Sequence, residues 1–580
     1  MQKDSLLNYL YRFFDIIVLL FIVFDFGYDF EENYNSPHVI GLLILSFGLL
    51  AFNSFKFFTK RYDSNKKVAL ANMLLLAILL LSCGIISVIN SNFHHDYILQ
   101  KIKPVLEGGL IFYFLLRLMV FVRHIYDIYF NPAIVFVGSF MILALTGAFL
   151  LMLPSATTHG ITFTNALFTA TSAVCVTGLV VLDTSADFTP VGQSIIIVLI
   201  QLGGIGILTF TSFFAFFFRG SSSFKEGLNT GSFIAHEGLR DVFRAALNVV
   251  ILTLSVETVG ALFIYSSIID NKAIDNEFFF SVFHSISAFC NAGFSTVPGG
   301  MFNEYLRFDY YLHWILMILI VLGGLGHNIV FNFYKYLKTY VIELFAKKIV
   351  HKKIRIITVN TKIVIYTTLI LLVAGFIFLF ISEYNNTLLQ HDSLFGKITA
   401  ASFSAVSPRT AGFDAIDYSK MTVPSLLFVI FLMWIGGSPA STAGGIKTST
   451  FALATLNIIA VARGKGRIQL FGRRISADST SRAFAILSIS LLTIGVSIMA
   501  ILIFEPKGTS ILTVAFECFS AYSTVGLSLN FTPTLTEPSK YVLIACMFIG
   551  RIGMLNLMVG LLRRLNHQFY EYPKENILIN

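Results

Sequence analysis

Four glycine-centred turns are the residues best placed to do chemistry: VCVTGLVV around Gly178, FCNAGFST around Gly293, PRTAGFDA around Gly412 and YSTVGLSL around Gly526. Successive glycines lie 115, 119 and 114 residues apart. A residue without Cβ takes positive φ freely, so a turn built on it can aim successive carbonyls in one direction. Four such turns meeting on one axis would replace the water shell of a dehydrating monovalent cation. One turn alone would read as an ordinary glycine loop, whereas recurrence at a near-constant period points to a shared role.

The elements that must hold these turns come next. Each turn follows a stretch of roughly 12–15 residues, such as FTNALFTATSAVCV, too short to cross a bilayer and suited to a re-entrant helix. Non-helical backbone inside a membrane persists only where it lines water or is buried in protein. Helix C-termini aimed at such a cavity add partial negative charge that favours a cation. Beginning 22 to 28 residues past each glycine come QLGGIG (201–206), VLGGLG (321–326), WIGGSP (434–439) and FIGRIG (548–553), expected inside long second helices. The expected fold is an all-α integral membrane protein with four pseudo-symmetric helix–pore loop–helix repeats around one central pore. The repeats are assigned to 126–220, 221–347, 348–465 and 466–580, the last with a cytoplasmic C-terminus. An N-terminal block, 1–125, adds four further transmembrane helices near 13–28, 38–58, 68–89 and 105–122.

Composition supports this. Hydrophobic residues make up 56% of the 580 and charged ones 13%, against roughly 25% charged in soluble domains. A cleaved signal peptide is a poor reading of the start: Lys3 and Arg12 precede the first apolar run, no small-residue cleavage site follows, and the run ends in Asp25 and Asp29. The net charge of +9 does not indicate nucleic acid, because the basic residues fall in tracts between apolar runs. These are Lys56, Lys60, Arg61, Lys66 and Lys67; Arg219, Lys225, Arg240 and Arg244; eight Lys or Arg from 335 to 362; and six from 463 to 482. They belong on the cytoplasmic side, with both termini. Residues 154–190 have no Lys or Arg and carry Asp183 and Asp187, so the turns open outward. Five cysteines with no CxxC give neither a disulfide framework nor a zinc site. There is no Walker motif, and the glycine clusters lack the strand a dinucleotide fold requires, so no enzyme is expected.

The segment GGSPASTAGGIKTST, Gly436 to Thr450, falls where the second helix of the third repeat should cross the membrane. Pro439 and four glycines interrupt it. It is read as a pliable gate under the turns, or as a kinked helix packed through small residues. Arg551 stands mid-helix in FIGRIG, where the aligned segments carry Gly204, Gly324 and Gly437. A buried membrane arginine faces water or a partner, so it paces the ion or forms a structural salt bridge. Lys447 closes the loop or snorkels to the cytoplasmic interface. Glu257, Glu517 and Arg409 shape the field or pair with one another, structural pairing being favoured for Arg409. Asp183 and Asp187 gather cations at the mouth or are solvated loop acids. His284 and His327 read as hydrogen-bonded core residues.

The four glycines, the NAGF and RTAGF turns, GGSPASTAGGIKT and the late GRIG together resemble the potassium transporters of the Trk, Ktr and HKT superfamily, over residues 131–565. The resemblance implies potassium as the transported ion. It would be held by backbone of Val176, Thr177 and Gly178; of Asn291, Ala292 and Gly293; of Thr410, Ala411 and Gly412; and of Thr524, Val525 and Gly526. In that family serine in the first turn goes with sodium transport, and glycine in all four goes with potassium selectivity. The implied gate comprises Gly436, Gly437, Ser438, Pro439, Ala443, Gly444, Gly445, Lys447 and Arg551. Also implied are no organic cofactor, a homodimer in a bacterial-type plasma membrane, and a separate cytoplasmic nucleotide-binding ring docked on the basic links. The N-terminal block lies outside the resemblance. A sodium- or proton-coupled symporter with a broken-helix site is the alternative. A membrane-embedded enzyme is more remote, since it needs facing carboxylates that no motif supplies.

Overall fold

The computed structural model describes residues 35–58, 66–89, 132–206, 239–269, 276–346, 358–439, 441–465 and 468–553, with isolated positions at 24, 27, 274 and between 98 and 113. The expected N-terminal segments near 13–28 and 105–122 lie largely outside the described residues, as do the basic positions 219, 225 and 347–355. The other two N-terminal segments are helices α1 (Asn35–Phe58) and α2 (Lys66–Ile89), packed together through Leu42, Leu49, Leu76 and Leu79.

Four short helices each end at one of the glycine turns: α4 (Phe163–Val174), α7 (Glu277–Cys290), α11 (Leu394–Val406) and α15 (Ile511–Ser523). Their starts are written locally. Thr162, Asn276 and Ser393 accept N–H bonds from the first turns of α4, α7 and α11, satisfying donors that would otherwise be bare. Each is preceded by a longer helix: α3 (Pro132–Leu151), α6 (Leu239–Ile268), α10 (Val359–Glu383) and α14 (Ala477–Phe504). Leu247–Ile268, Val359–Glu383 and Ala477–Phe504 are long and apolar enough to cross a membrane. Leu262, Ile370, Ile377, Leu492 and Ile503 point outward from them, a surface that water would not tolerate and lipid would.

The helices after the turns differ from expectation. They are α5 (Pro190–Ile205), α8 (Tyr310–Leu325), α12 (Val423–Trp434) and α16 (Glu537–Ile552), only 16, 16, 12 and 16 residues long. The GGIG, GGLG and GRIG runs end helices instead of lying inside them. Gly206, Gly326 and Gly553 cap α5, α8 and α16 at φ of 79°, 79° and 82° with extended ψ, a backbone region closed to side chains. Arg551 is accordingly the penultimate residue of α16 and not mid-helix. Past Gly326 the chain resumes as α9 (His327–Ala346) after a bend of 101°.

One feature departs from an all-α fold. After α13 (Thr448–Ala462), strands β1 (Gln469–Leu470) and β2 (Arg473–Arg474) form an antiparallel hairpin in the basic link. Its turn residues Phe471 and Gly472 both have positive φ, 51° and 75°, as a two-residue hairpin requires.

Packing closes on itself. Helix α5 packs against α7, α8 against α11, α12 against α15, and α16 back against α4. The residue after each turn glycine enforces this order. Phe294 is buried with Val174 and Ile196, Phe413 with Ala288 and Leu316, Leu527 with Ala401 and Val429, and Leu179 with Val514 and Leu543. Each hydrophobe after a glycine thus anchors in the cluster formed around the preceding turn's helices. Burying one such side chain contributes about 1.5–3 kcal/mol in water-based terms.

Candidate ion-coordinating site

The four turns share one backbone solution. Gly178, Gly293, Gly412 and Gly526 have φ of 89°, 71°, 76° and 97°. The residue two before each is also left-handed: Val176, Asn291, Thr410 and Thr524, at 54°, 61°, 71° and 50°. Such φ is uncommon for any residue with a side chain, and costly for β-branched ones. Its recurrence at all four places shows that the conformation is imposed. Left-handed residues spaced two apart turn intervening peptide units to one side, the condition for a row of carbonyls.

The turns meet. A Cβ at Gly178 would fall on the Ala292 carbonyl, one at Gly293 would lie 2.8 Å from the Ala411 carbonyl, one at Gly412 would fall on that of Val525, and one at Gly526 on that of Thr177. Each glycine therefore abuts the carbonyl before the next glycine, and the fourth returns to the first. Serine hydroxyls bind the turns from behind. Ser172 Oγ accepts from Gly178 N and Ser520 Oγ from Gly526 N, both at 3.1 Å; Ser287 Oγ donates to Phe294 O at 2.9 Å and Ser407 Oγ to Phe413 O at 2.6 Å. These serines were not singled out from the sequence. The signal was present as a Ser-Ala pair six residues before three of the four glycines, Ser172, Ser287 and Ser520.

Below the ring, α12 stops at Trp434 and helix returns only at Thr448. The intervening backbone is not a kinked helix. Ile435 and Ile446 form a parallel bridge, Gly436 N donates to Ile446 O at 2.8 Å, and Thr448 N donates to Gly437 O at 2.9 Å. This loop presses on the turns: a Cβ at Gly444 would fall on Thr524, and one at Gly436 would lie 3.3 Å from Thr410 Cγ2. Ser438 N donates to Gly324 O at 2.9 Å and its hydroxyl to Leu325 O, while Thr442 Oγ1 donates to Phe289 O at 3.2 Å.

The cations of the site also end on carbonyls. Arg551 donates to Thr442 O and, at 2.7 Å, to Gly203 O, so it bridges the loop to α5 and makes no salt bridge to a described carboxylate. Lys447 Nζ turns back to Ala443 O at 2.6 Å instead of snorkelling away. Arg409 Nη2 donates to Gly436 O at 2.9 Å. Arg409, Glu257 and Glu517 do not pair with one another. Glu257 accepts from Gln201 Nε2 at 2.8 Å, and Glu517 is held by hydroxyls of its own turn. Asp183 and Asp187 build their loop: Asp183 Oδ1 accepts from Ser185 N and Asp187 Oδ2 from Asp183 N, both at 2.8 Å. His284 is a hydrogen-bonded core residue, and His327 opens α9.

Residues 104–571 match the family model TrkH, described as a cation transport protein. The chain belongs to this family. Among its TrkH-type relatives, the potassium/sodium uptake protein NtpJ of Enterococcus hirae is 33% identical over 455 residues, covering 77% of this chain and 97% of that one. The Ktr system potassium uptake protein B of Bacillus subtilis is 34% identical over 430 residues, 74% of this chain and 92% of that one. The TrkH potassium transporter of Vibrio parahaemolyticus has the same fold, with a TM-score of 0.58 at 17% identity over 86% of this chain and 98% of that one. TrkH-family membership makes this a membrane-embedded cation transport protein and not an enzyme. The match begins at 104, so most of the N-terminal block stands apart from the family region.

Proposed function

We propose that this chain carries potassium across the membrane through one pore, whose filter is the four-turn ring and whose gate is the loop 436–450. The observation that carries the reading is the closed succession of contacts, each glycine against the carbonyl preceding the next. In this reading the pore repeats are 126–220, 221–347, 348–465 and 466–580. Backbone oxygens of residues 176–178, 291–293, 410–412 and 524–526 replace the ion's hydration shell, and no organic cofactor takes part. Potassium stands in the names of both relatives, beside sodium in that of NtpJ, and glycine at all four turns leaves room for a ring of backbone oxygen alone.

The gate reading rests on Gly436, Gly437, Gly444 and Gly445, which leave the described residues of 435–447 without helix, and on Lys447 and Arg551, which put two positive charges beside it. An ion crossing the ring must pass them. Moving the loop requires exchange of the bonds from Ser438 and Thr442 to carbonyls of neighbouring helices and of the bond from Arg551 to the loop's own Thr442 carbonyl. The chain works as a homodimer in a bacterial-type plasma membrane, termini inside, with a separate nucleotide-binding ring on its basic cytoplasmic links. The break between α12 and α13 also suits a coupled symporter with a midplane site.

Uptake of potassium and of sodium into proteoliposomes, each with and without a proton gradient, tests these readings. Potassium uptake driven by its own gradient, and weakened discrimination against sodium in Gly178→Ser, are the expected results. Strict dependence on the proton or sodium gradient would replace the channel by the symporter; unaltered discrimination in Gly178→Ser would remove the ring as filter.

A further inference from the structure

Two side chains buried behind the ring remain without a role. Glu517 lies nine residues before Gly526 and Ser528 two after it; His284 lies nine before Gly293 and Ser295 two after it. Both pairs are bonded. Glu517 accepts from the Ser528 hydroxyl at 2.6 Å, the Thr532 hydroxyl at 2.6 Å and Leu529 N at 3.1 Å. The Phe280 carbonyl can only accept, so His284 Nδ1 carries the proton toward it at 2.9 Å and Nε2 receives the Ser295 hydroxyl at 2.9 Å. Glu517 is 1% exposed and His284 is 0% exposed. Each therefore ties its short helix to the outgoing limb of its own turn, beyond the glycine.

The other two turns carry different residues at the same places. Thr169 and Val180 flank Gly178, and Phe403 and Asp414 flank Gly412, at the same offsets. Thr169 Oγ1 and Asp414 Oδ1 find no hydrogen-bond partner among the described residues. Contacts run from the first turn to the second, third, fourth and back, so the two tied turns are diagonal neighbours across the ring. The serines behind the ring reach no further out than the residue after each glycine. Beyond that residue, a side-chain tie from the nine-before position is present only at the second and fourth turns.

Oxygens on a compliant backbone close or widen around ions of different radius, so discrimination depends on how firmly the turns are held. We propose that Glu517 and His284 are positioning residues for ion selectivity, two diagonal staples that fix the outer limbs of the second and fourth turns. This rests on reading the ring as the filter. The first and third turns, unstapled, adjust as ions enter.

The test is the ratio of potassium to sodium uptake by the full chain in proteoliposomes, normalised to folded protein. Glu517→Leu lowers that ratio about tenfold, the scale at which residues supporting ion ligands act. Glu517→Gln recovers part of it, because its amide oxygen still accepts a hydroxyl. Adding Ser528→Ala to Glu517→Leu changes nothing further, since one tie cannot be lost twice. If Glu517→Leu does not fold, Ser295→Ala with Ser528→Ala and Thr532→Val removes the loop-end hydroxyls of both staples and is read the same way. Thr169→Val, at an unstapled turn, leaves the ratio unchanged. An unchanged ratio in Glu517→Leu, or in the triple hydroxyl variant, while Gly178→Ser shifts it overturns the staples alone. An unchanged ratio in Gly178→Ser as well takes the filter reading down with them. A shift in Thr169→Val as large as in Glu517→Leu overturns the diagonal assignment.

Discussion

The ring of turns and the loop 435–447 beneath it are both non-helical backbone inside a helical membrane protein, yet they are held in opposite ways. The ring is fixed chiefly by absence and by wedges, with hydrogen bonds behind them: no Cβ at four glycines pressed on the next turn, and Leu179, Phe294, Phe413 and Leu527 sunk into neighbouring clusters. The loop is fixed by donors. Ser438, Thr442, Lys447, Arg409 and Arg551 all reach backbone carbonyls. Packed contacts have one arrangement, whereas hydrogen bonds to carbonyls can be exchanged at small net cost. If the ring is the filter and the loop the gate, as proposed, the more tightly packed backbone lies where ions are told apart and the exchangeable one where flow is controlled.

The strongest way to break this comparison is at the ring. Gly526→Val places a branched side chain on the Thr177 carbonyl at a φ of 97°; potassium uptake falls by more than about a hundredfold while the protein still elutes as a folded species. Retained uptake would show that the ring is as compliant as the loop.

A second variant separates the two regions. Ser438→Ala with Thr442→Val removes the loop's hydroxyl ties to Leu325 and Phe289 and leaves every turn intact. Basal flux rises about thirtyfold, the worth of two hydrogen bonds of about 1 kcal/mol each, at an unchanged potassium-to-sodium ratio. A change in the ratio without a change in flux would reverse the roles assigned to ring and loop.

Arg409 connects the regions, standing three residues before Gly412 and donating to Gly436 O. Arg409→Met costs about 2 kcal/mol of stability, read as a lowered thermal midpoint in detergent. A stability equal to that of the unaltered protein would mean the tie carries no weight.

The smallest effect is expected at the mouth. Asp183 and Asp187 are engaged with backbone and hydroxyl donors of their own loop. Asp187→Asn changes the half-saturating potassium concentration by less than about twofold, and salt near 0.15 M erases even that. A large salt-sensitive change would restore these acids to an ion-gathering role.

How much of this was legible follows from the range over which each cause acts. The short helices before the turns and the break after Trp434 were readable, because caps, glycine and Pro439 act on their own neighbours. The premature ends of α5, α8 and α16 were misread: GGIG and GGLG look like small-residue packing within a helix. Only the geometry shows Gly203 and Gly323 against the carbonyls of Val174 and Phe289, with the capping glycine closing the helix beyond. The partners of Arg551 and Lys447 were left open, since a carbonyl acceptor has no residue type to recognise. The Glu517 and His284 staples were missed because one is acidic and the other aromatic, and only equal offsets from the glycines relate them.

By itself the sequence determined residence in a membrane, the four places where the chain must turn left-handed, and one of the four second spans that could not stay helical. These are local or compositional constraints, decided by side-chain transfer from water and by the presence or absence of Cβ. Only the tertiary structure decided which turn follows which around the ring and which carbonyls receive the buried cations. Arg551 meets partners 109 and 348 residues away, and no periodicity along a chain encodes a meeting of that span. It is settled by how helices pack once every polar group removed from water has had to find a partner.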